Sequence, residues 1–81
     1  MYTIYIKNKP LVLINNQEDI NLEVGNFFIR YDSDQTLLYL IDAFEQNDTM
    51  LKLYVLDPNI ELLWKSFNSV YKTIEAAGGL I

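Results

Sequence analysis

Carboxylates, two turn lysines and a row of aromatic rings are the side chains of this sequence with the means to do chemistry. Asp32 and Asp34 stand two apart directly after an apolar run, and Asp42, Glu45 and Asp48 follow at intervals of three. Neighbouring carboxylates can share a divalent cation. For Asp42, Glu45 and Asp48 no glycine-turned calcium loop and no histidine completes a ligand set, so they read as the solvated face of a helix. Asp32 and Asp34 suit the positively polarised start of that helix. Lys7 and Lys9, with Tyr5 nearby, could meet a phosphate, but two turn lysines on an acidic chain fit solubility and edge protection better. Trp64, Phe67 and Tyr71 fall at helical spacing and read as core.

The inventory excludes more than it offers. With no Cys and no His the chain has no thiolate nucleophile, no Ser-His or Cys-His pair and no imidazole ligand. Six Lys and Arg against eleven Asp and Glu give a net charge of -5, which opposes binding to nucleic acid or to an anionic membrane. Neither a Walker loop, a dinucleotide fingerprint nor a nucleophile elbow is present. At 81 residues and 51% apolar, the chain is long enough for one small packed domain and too short for most complete enzymes. No apolar run has the length of a membrane span, and the start lacks the pattern of a signal peptide. These features point to a cytoplasmic domain, and the absence of Cys fits a reducing compartment.

The elements that must position these residues follow from periodicity. Tyr2 to Ile6 and Pro10 to Ile14, joined by Lys7-Asn8-Lys9, have the pattern of a β-hairpin. Asn15 to Gly25 is polar and reads as a loop with one short turn. Asn26 to Tyr31 is a third strand, and Asp34 to Gln46 a helix with Leu37, Leu40, Ile41 and Phe44 on one face. Met50 to Leu56 is a fourth strand. Asp57-Pro58 is expected to open a second helix, with Asp57 as cap and Ile60, Leu63, Trp64, Phe67, Val70, Tyr71 and Ile74 as its apolar stripe. Tyr71 to Glu75 can finish that helix or begin another strand. The order β-β-β-α-β-α predicts a two-layer α+β domain, its mixed four-stranded sheet carrying both helices on one face. The other face is then polar or covered by a partner. Leu38, Tyr39 and Leu62 lie off the core stripes and are candidate contacts.

Two resemblances attach to these segments. Asp32-Ser33-Asp34-Gln35-Thr36 after an apolar strand resembles the first motif of the haloacid dehalogenase phosphatases, which would make Asp32 a nucleophile and Asp34 an acid beside magnesium. That family needs a lysine and a second acidic cluster on a longer doubly wound sheet, which 81 residues cannot hold, so both aspartates are assigned to the helix start.

The segment Ile74-Glu75-Ala76-Ala77-Gly78-Gly79-Leu80-Ile81 resembles the entry into a Nudix hydrolase domain. Ile4 to Leu11, Phe28-Ile29-Arg30-Tyr31 and Phe67 to Ile81 are similar to the small domain that precedes the catalytic domain in bacterial Nudix hydrolases of the ADP-ribose pyrophosphatase type. The resemblance implies an N-terminal accessory domain over 1-75 and the start of a catalytic domain over 76-81. The parent would hydrolyse a nucleoside diphosphate derivative with magnesium, and the accessory domain would serve subunit assembly or regulation. The Nudix box is not in the chain, so the 81 residues are expected to be no enzyme themselves, with no catalytic, metal or cofactor-binding residue. The implied partners are the downstream catalytic domain and a second copy of the chain. Leu38, Tyr39, Leu62, Ala76, Ala77, Leu80 and Ile81 are the candidate interface. The rival reading is a free-standing acidic protein-protein interaction module.

Overall fold

The computed structural model describes the backbone of residues 1-76 and the side-chain surroundings of residues 1-72. Its strands are β1 (Tyr2–Ile6), β2 (Lys9–Ile14), β3 (Asn26–Arg30) and β4 (Lys52–Leu56), and its helices α1 (Asp34–Gln46) and α2 (Ile60–Ala76). The sheet order is β1-β2-β4-β3, with β1 antiparallel to β2 and β4 parallel to both β2 and β3. This is the expected mixed four-stranded α+β sheet, and α2 runs as helix through Tyr71 to Ala76. The expected domain limit between residues 75 and 76 falls at the last residue of α2, while the interface candidates Ala77, Leu80 and Ile81 lie outside the described residues, as does the side chain of Ala76.

Both helices cover one sheet face. Ile6, Leu11, Leu13, Leu53 and Val55 meet Leu37, Ile41 and Phe44 of α1 and Leu63, Phe67 and Val70 of α2 in one buried cluster. Alternation along each strand sends the intervening residues to the opposite face. That second face departs from expectation: it is neither polar nor dependent on a partner at its centre. Val12, Ile14, Tyr54 and Leu56 are buried there, with Ile20 and Phe28 packed against them. Ile20 follows a 3₁₀ turn at Gln17–Asp19, so the polar stretch after β2 supplies the cover. Its apolar residue is too isolated to give a periodic signal, which is why the sequence pattern leaves it as a loop.

Local chemistry sets the remaining boundaries. Ile6 pairs with Lys9, which reduces the hairpin turn to Lys7 and Asn8, both with positive φ (50° and 67°), the mark of a primed turn. Helix α2 starts at Ile60 and not at Asp57-Pro58. Asn59 caps it, its side chain accepting from the Leu62 N–H at 3.1 Å, while Asp57 accepts from the Asn59 N–H at 2.9 Å. The aspartate thus shapes the turn that delivers the cap. Along α2, Tyr2 of β1 stacks on Trp64 with ring centroids 4.3 Å apart, tying the edge strand to the helix.

Gly25 joins the long loop to β3. Its carbonyl accepts from Leu51 N at 2.7 Å and Lys52 N at 3.2 Å, which starts the β3–β4 ladder. It has φ +89°, and an added Cβ would lie 2.7 Å from Leu51 Cδ1. Gly25→Ala should therefore lower stability by about 1–2 kcal/mol, combining the left-handed backbone penalty with displacement of Leu51. Thermal unfolding should show this as a fall in Tm of roughly 5–15 °C for a domain of this size; an unchanged Tm would contradict the constraint.

Candidate functional site

One group of polar side chains meets where β3 hands over to α1. Tyr31 follows the last residue of β3, and its backbone N–H still pairs with Leu56 O at 2.8 Å. Its phenol donates to Asp34 Oδ1 at 2.6 Å and lies 3.3 Å from Ser66 Oγ on α2. Ser33 is the cap of α1, its hydroxyl accepting from the Thr36 N–H at 3.2 Å. Asp34 adds a negative charge to the first turn of the helix. One oxygen of the Asp34 carboxylate is thus engaged by Tyr31.

Next to this knot the two helices leave an open groove of about 200 Å³ lined by Asp34, Gln35, Leu38, Ser69 and Val70. Leu38 is half-buried and contributes to the core as well as to the groove. Tyr39 is 67% exposed and Leu62 49% exposed, and neither lines the groove. The sequence-selected residues Leu38, Tyr39 and Leu62 are thus not assembled into one lining. In chemical terms the groove is lined by a carboxylate that Tyr31 already engages, an amide and a hydroxyl beside the apolar Leu38 and Val70.

The Tyr31 phenol is held above its usual pKa of 10.0, chiefly because it donates to the Asp34 carboxylate and would repel it once ionised; Ser66 works the other way and partial burial adds to the rise. Tyr31 is therefore a hydrogen-bond donor at neutral pH and not a nucleophile. Among the described residues no three carboxylates come together as a metal site. Asp42 accepts from Gln46 Nε2 at 3.0 Å, and Glu45 lies 3.7 Å from Lys7 Nζ.

Lys9 has a role that its position in a turn does not reveal. Its ammonium donates to the carbonyls of Phe44 and Asn47, the latter at 3.0 Å, and lies 4.5 Å from the centre of the Phe44 ring. A cation from the hairpin thus closes the negative end of α1, whose last turn holds no basic residue. The contact spans 35 residues of sequence, so no local pattern discloses it. Lys9 is therefore turned onto α1, which corrects its assignment to solubility and edge protection, whereas Lys7 is 65% exposed and reaches Glu45 only at the surface.

Comparison with known proteins bears on the family. No family model matches the chain, and no solved structure matches it. Among curated proteins it is similar to thioredoxin reductase 2 of Arabidopsis thaliana, 33% identical over 60 residues. The match takes in 74% of this chain and 15% of that protein, so the chain corresponds to a small part of the relative's length. This similarity points away from the Nudix hydrolases and overturns the accessory-domain reading, together with its ADP-ribose pyrophosphatase activity and its magnesium. The rival reading as a free-standing acidic interaction module gains no support from it either. The reason lies in what carried the resemblance: a hairpin, an apolar strand and an amphipathic helix are what any small α+β domain needs to build a core. The motif Ala76 to Ile81 is too short to outweigh that.

Two measurements test the polar contacts. Lys9→Met keeps the apolar stem and removes the charge, and should cost about 1–2 kcal/mol with faster amide exchange in the last turn of α1; unchanged exchange there would show that the lysine does not close the helix. Because the folded-state pKa of Tyr31 is raised, its contribution is complete below the unfolded value of 10.0 and declines as pH rises past it through the folded value. As pH rises through and past 10.0 the urea midpoint of the native chain should fall more steeply than that of Tyr31→Phe. Parallel curves would remove the phenol from the account.

Proposed function

We propose that these residues form a non-catalytic scaffold unit related to part of a thioredoxin reductase, contributing folded structure and no redox step of its own. The observation that carries this reading is the complete absence of Cys from a chain that is similar to such a reductase. A protein that reduces thioredoxin handles a dithiol/disulfide couple, and thiol-disulfide exchange proceeds by attack of a thiolate. This chain has none to offer. The engagement of its reactive side chains supports the same view: Lys9 closes α1, Tyr31 holds Asp34, Ser33 and Asn59 cap helices, and Asp57 shapes a turn. Each is employed in holding backbone in place.

The reading includes no cofactor bound by the chain itself and no nucleic-acid partner, in keeping with a net charge of -5 and with Lys9 engaged at the end of α1. Among the described residues no helix is long and apolar enough to cross a membrane. The test is turnover. Purified chain, oxidised thioredoxin and a nicotinamide or dithiol reductant should generate free thiols no faster than the protein-free control. A rate proportional to chain concentration and saturable in thioredoxin would overturn the proposal.

A further inference from the structure

Among the described residues the sheet stops at β3, with one side of that strand unpaired. Leu56 O receives the Tyr31 N–H and Gly25 O receives the Lys52 N–H, so the peptide groups of odd-numbered residues in this stretch point toward β4. Strand alternation turns those of Asn26, Phe28 and Arg30 the other way. Asn26 uses its N–H on Glu23 O at 2.9 Å. The outward edge therefore presents the donor and acceptor of Phe28, the donor and acceptor of Arg30 and the acceptor of Asn26.

We propose that this edge binds the same edge of a second copy of the chain, giving a two-fold symmetric dimer with β3 antiparallel to its counterpart. Centred on Phe28, the arrangement is self-complementary. The two Phe28 residues exchange N–H and C=O bonds, and each Arg30 N–H meets the Asn26 C=O of the other copy. The internal use of the Asn26 N–H ends the ladder there, leaving four backbone bonds. Side chains match on both faces: Phe28 meets Phe28, and Phe27, 44% exposed in the single chain, meets Ile29 of the second copy. No like charges stand opposite each other within the strand, since Arg30 faces Asn26. An isologous contact of this kind closes on itself and does not propagate.

Three further observations favour β3 over the other edge. Asn26–Arg30 contains no lysine, proline or buried charge of the sort that blunts an open edge, and its one cation sits at the end. Val24 (99% exposed) and Leu51 (54% exposed) extend the apolar surface from its start, with Leu51 lying against Gly25. Strand β1, by contrast, is tied to α2 through Tyr2 and Trp64 and leads directly into Lys7. The charge of -5 on each copy opposes association at low ionic strength, so screening should strengthen the dimer, the opposite of what a partner held by charge attraction would show.

Sedimentation equilibrium from roughly 10 µM to 1 mM chain covers the range in which a small interface associates. The mass should rise from 9.5 kDa toward twice that value, and further toward it in about 0.5 M NaCl. In the same samples, amide exchange at Phe28 and Arg30 should slow as concentration rises while the Thr3 amide stays unaffected. Phe27→Lys, at an exposed position, should weaken the dimer by roughly 10-fold or more. A mass of 9.5 kDa throughout overturns the proposal. So does a dimer in which the Phe28 and Arg30 amides exchange at the monomer's rate. The native-chain exchange measurement decides the matter even if Phe27→Lys does not fold.

Discussion

Strand β4 is the member on which the other elements depend, because it lies between β2 and β3 and has to be dry on both faces. Leu53 and Val55 lie under the helices, and Tyr54 and Leu56 under the segment that links β2 to β3. Both of its neighbours run parallel to it, and parallel neighbours cannot be joined by a tight turn. The chain must therefore travel the length of the sheet twice, once between β2 and β3 and once between β3 and β4. It covers one face with Ile20 on the first passage and the other with α1 on the second. The burial of β4 and the connectivity are two sides of one constraint.

Electrostatics serve that arrangement. The start of α1 is satisfied by Ser33 and Asp34, and its end by Lys9 from the far side of the chain. The start of α2 is satisfied by Asn59. Tyr31 links the end of β3 to both helices at once, through Asp34 on α1 and Ser66 on α2. In a domain this small, each such contact is a sizeable share of the margin between folded and unfolded chain. An acidic protein with few cations uses Lys9 at the end of α1, while Lys7 stays at the surface beside Glu45.

The same frugality frames the functional reading. A chain similar over 60 residues to a thioredoxin reductase, with no cysteine and with Ser33, Asp34 and Asp57 at helix starts and turns, lacks the thiolate that disulfide exchange needs. Among the described residues one open side is the edge of β3, where peptide groups and not side-chain chemistry are on offer. Affinity along such an edge comes from main-chain hydrogen bonds, and selectivity from the side chains that alternate above and below it.

Periodicity made the elements legible, since Leu37, Ile41 and Phe44 or Leu63, Phe67 and Val70 recur at helical spacing, and the apolar strands stand out from polar surroundings. Composition showed that the chain has no thiol or imidazole. The family was not legible, because hairpins, strands and stripes are common to every small α+β core. Ile20 as a cover, Asn59 in place of Asp57 as the cap, Lys9 as the end of α1 and the knot of Tyr31, Asp34 and Ser66 were decided by tertiary structure. The division has one physical cause. Apolar burial acts through patterns that repeat within a few residues, so sequence alone determined which segments are helix or strand and which chemistry is missing. Hydrogen bonds and charges depend on groups meeting at about 3 Å, and only the folded chain brings together partners that lie 35 residues apart.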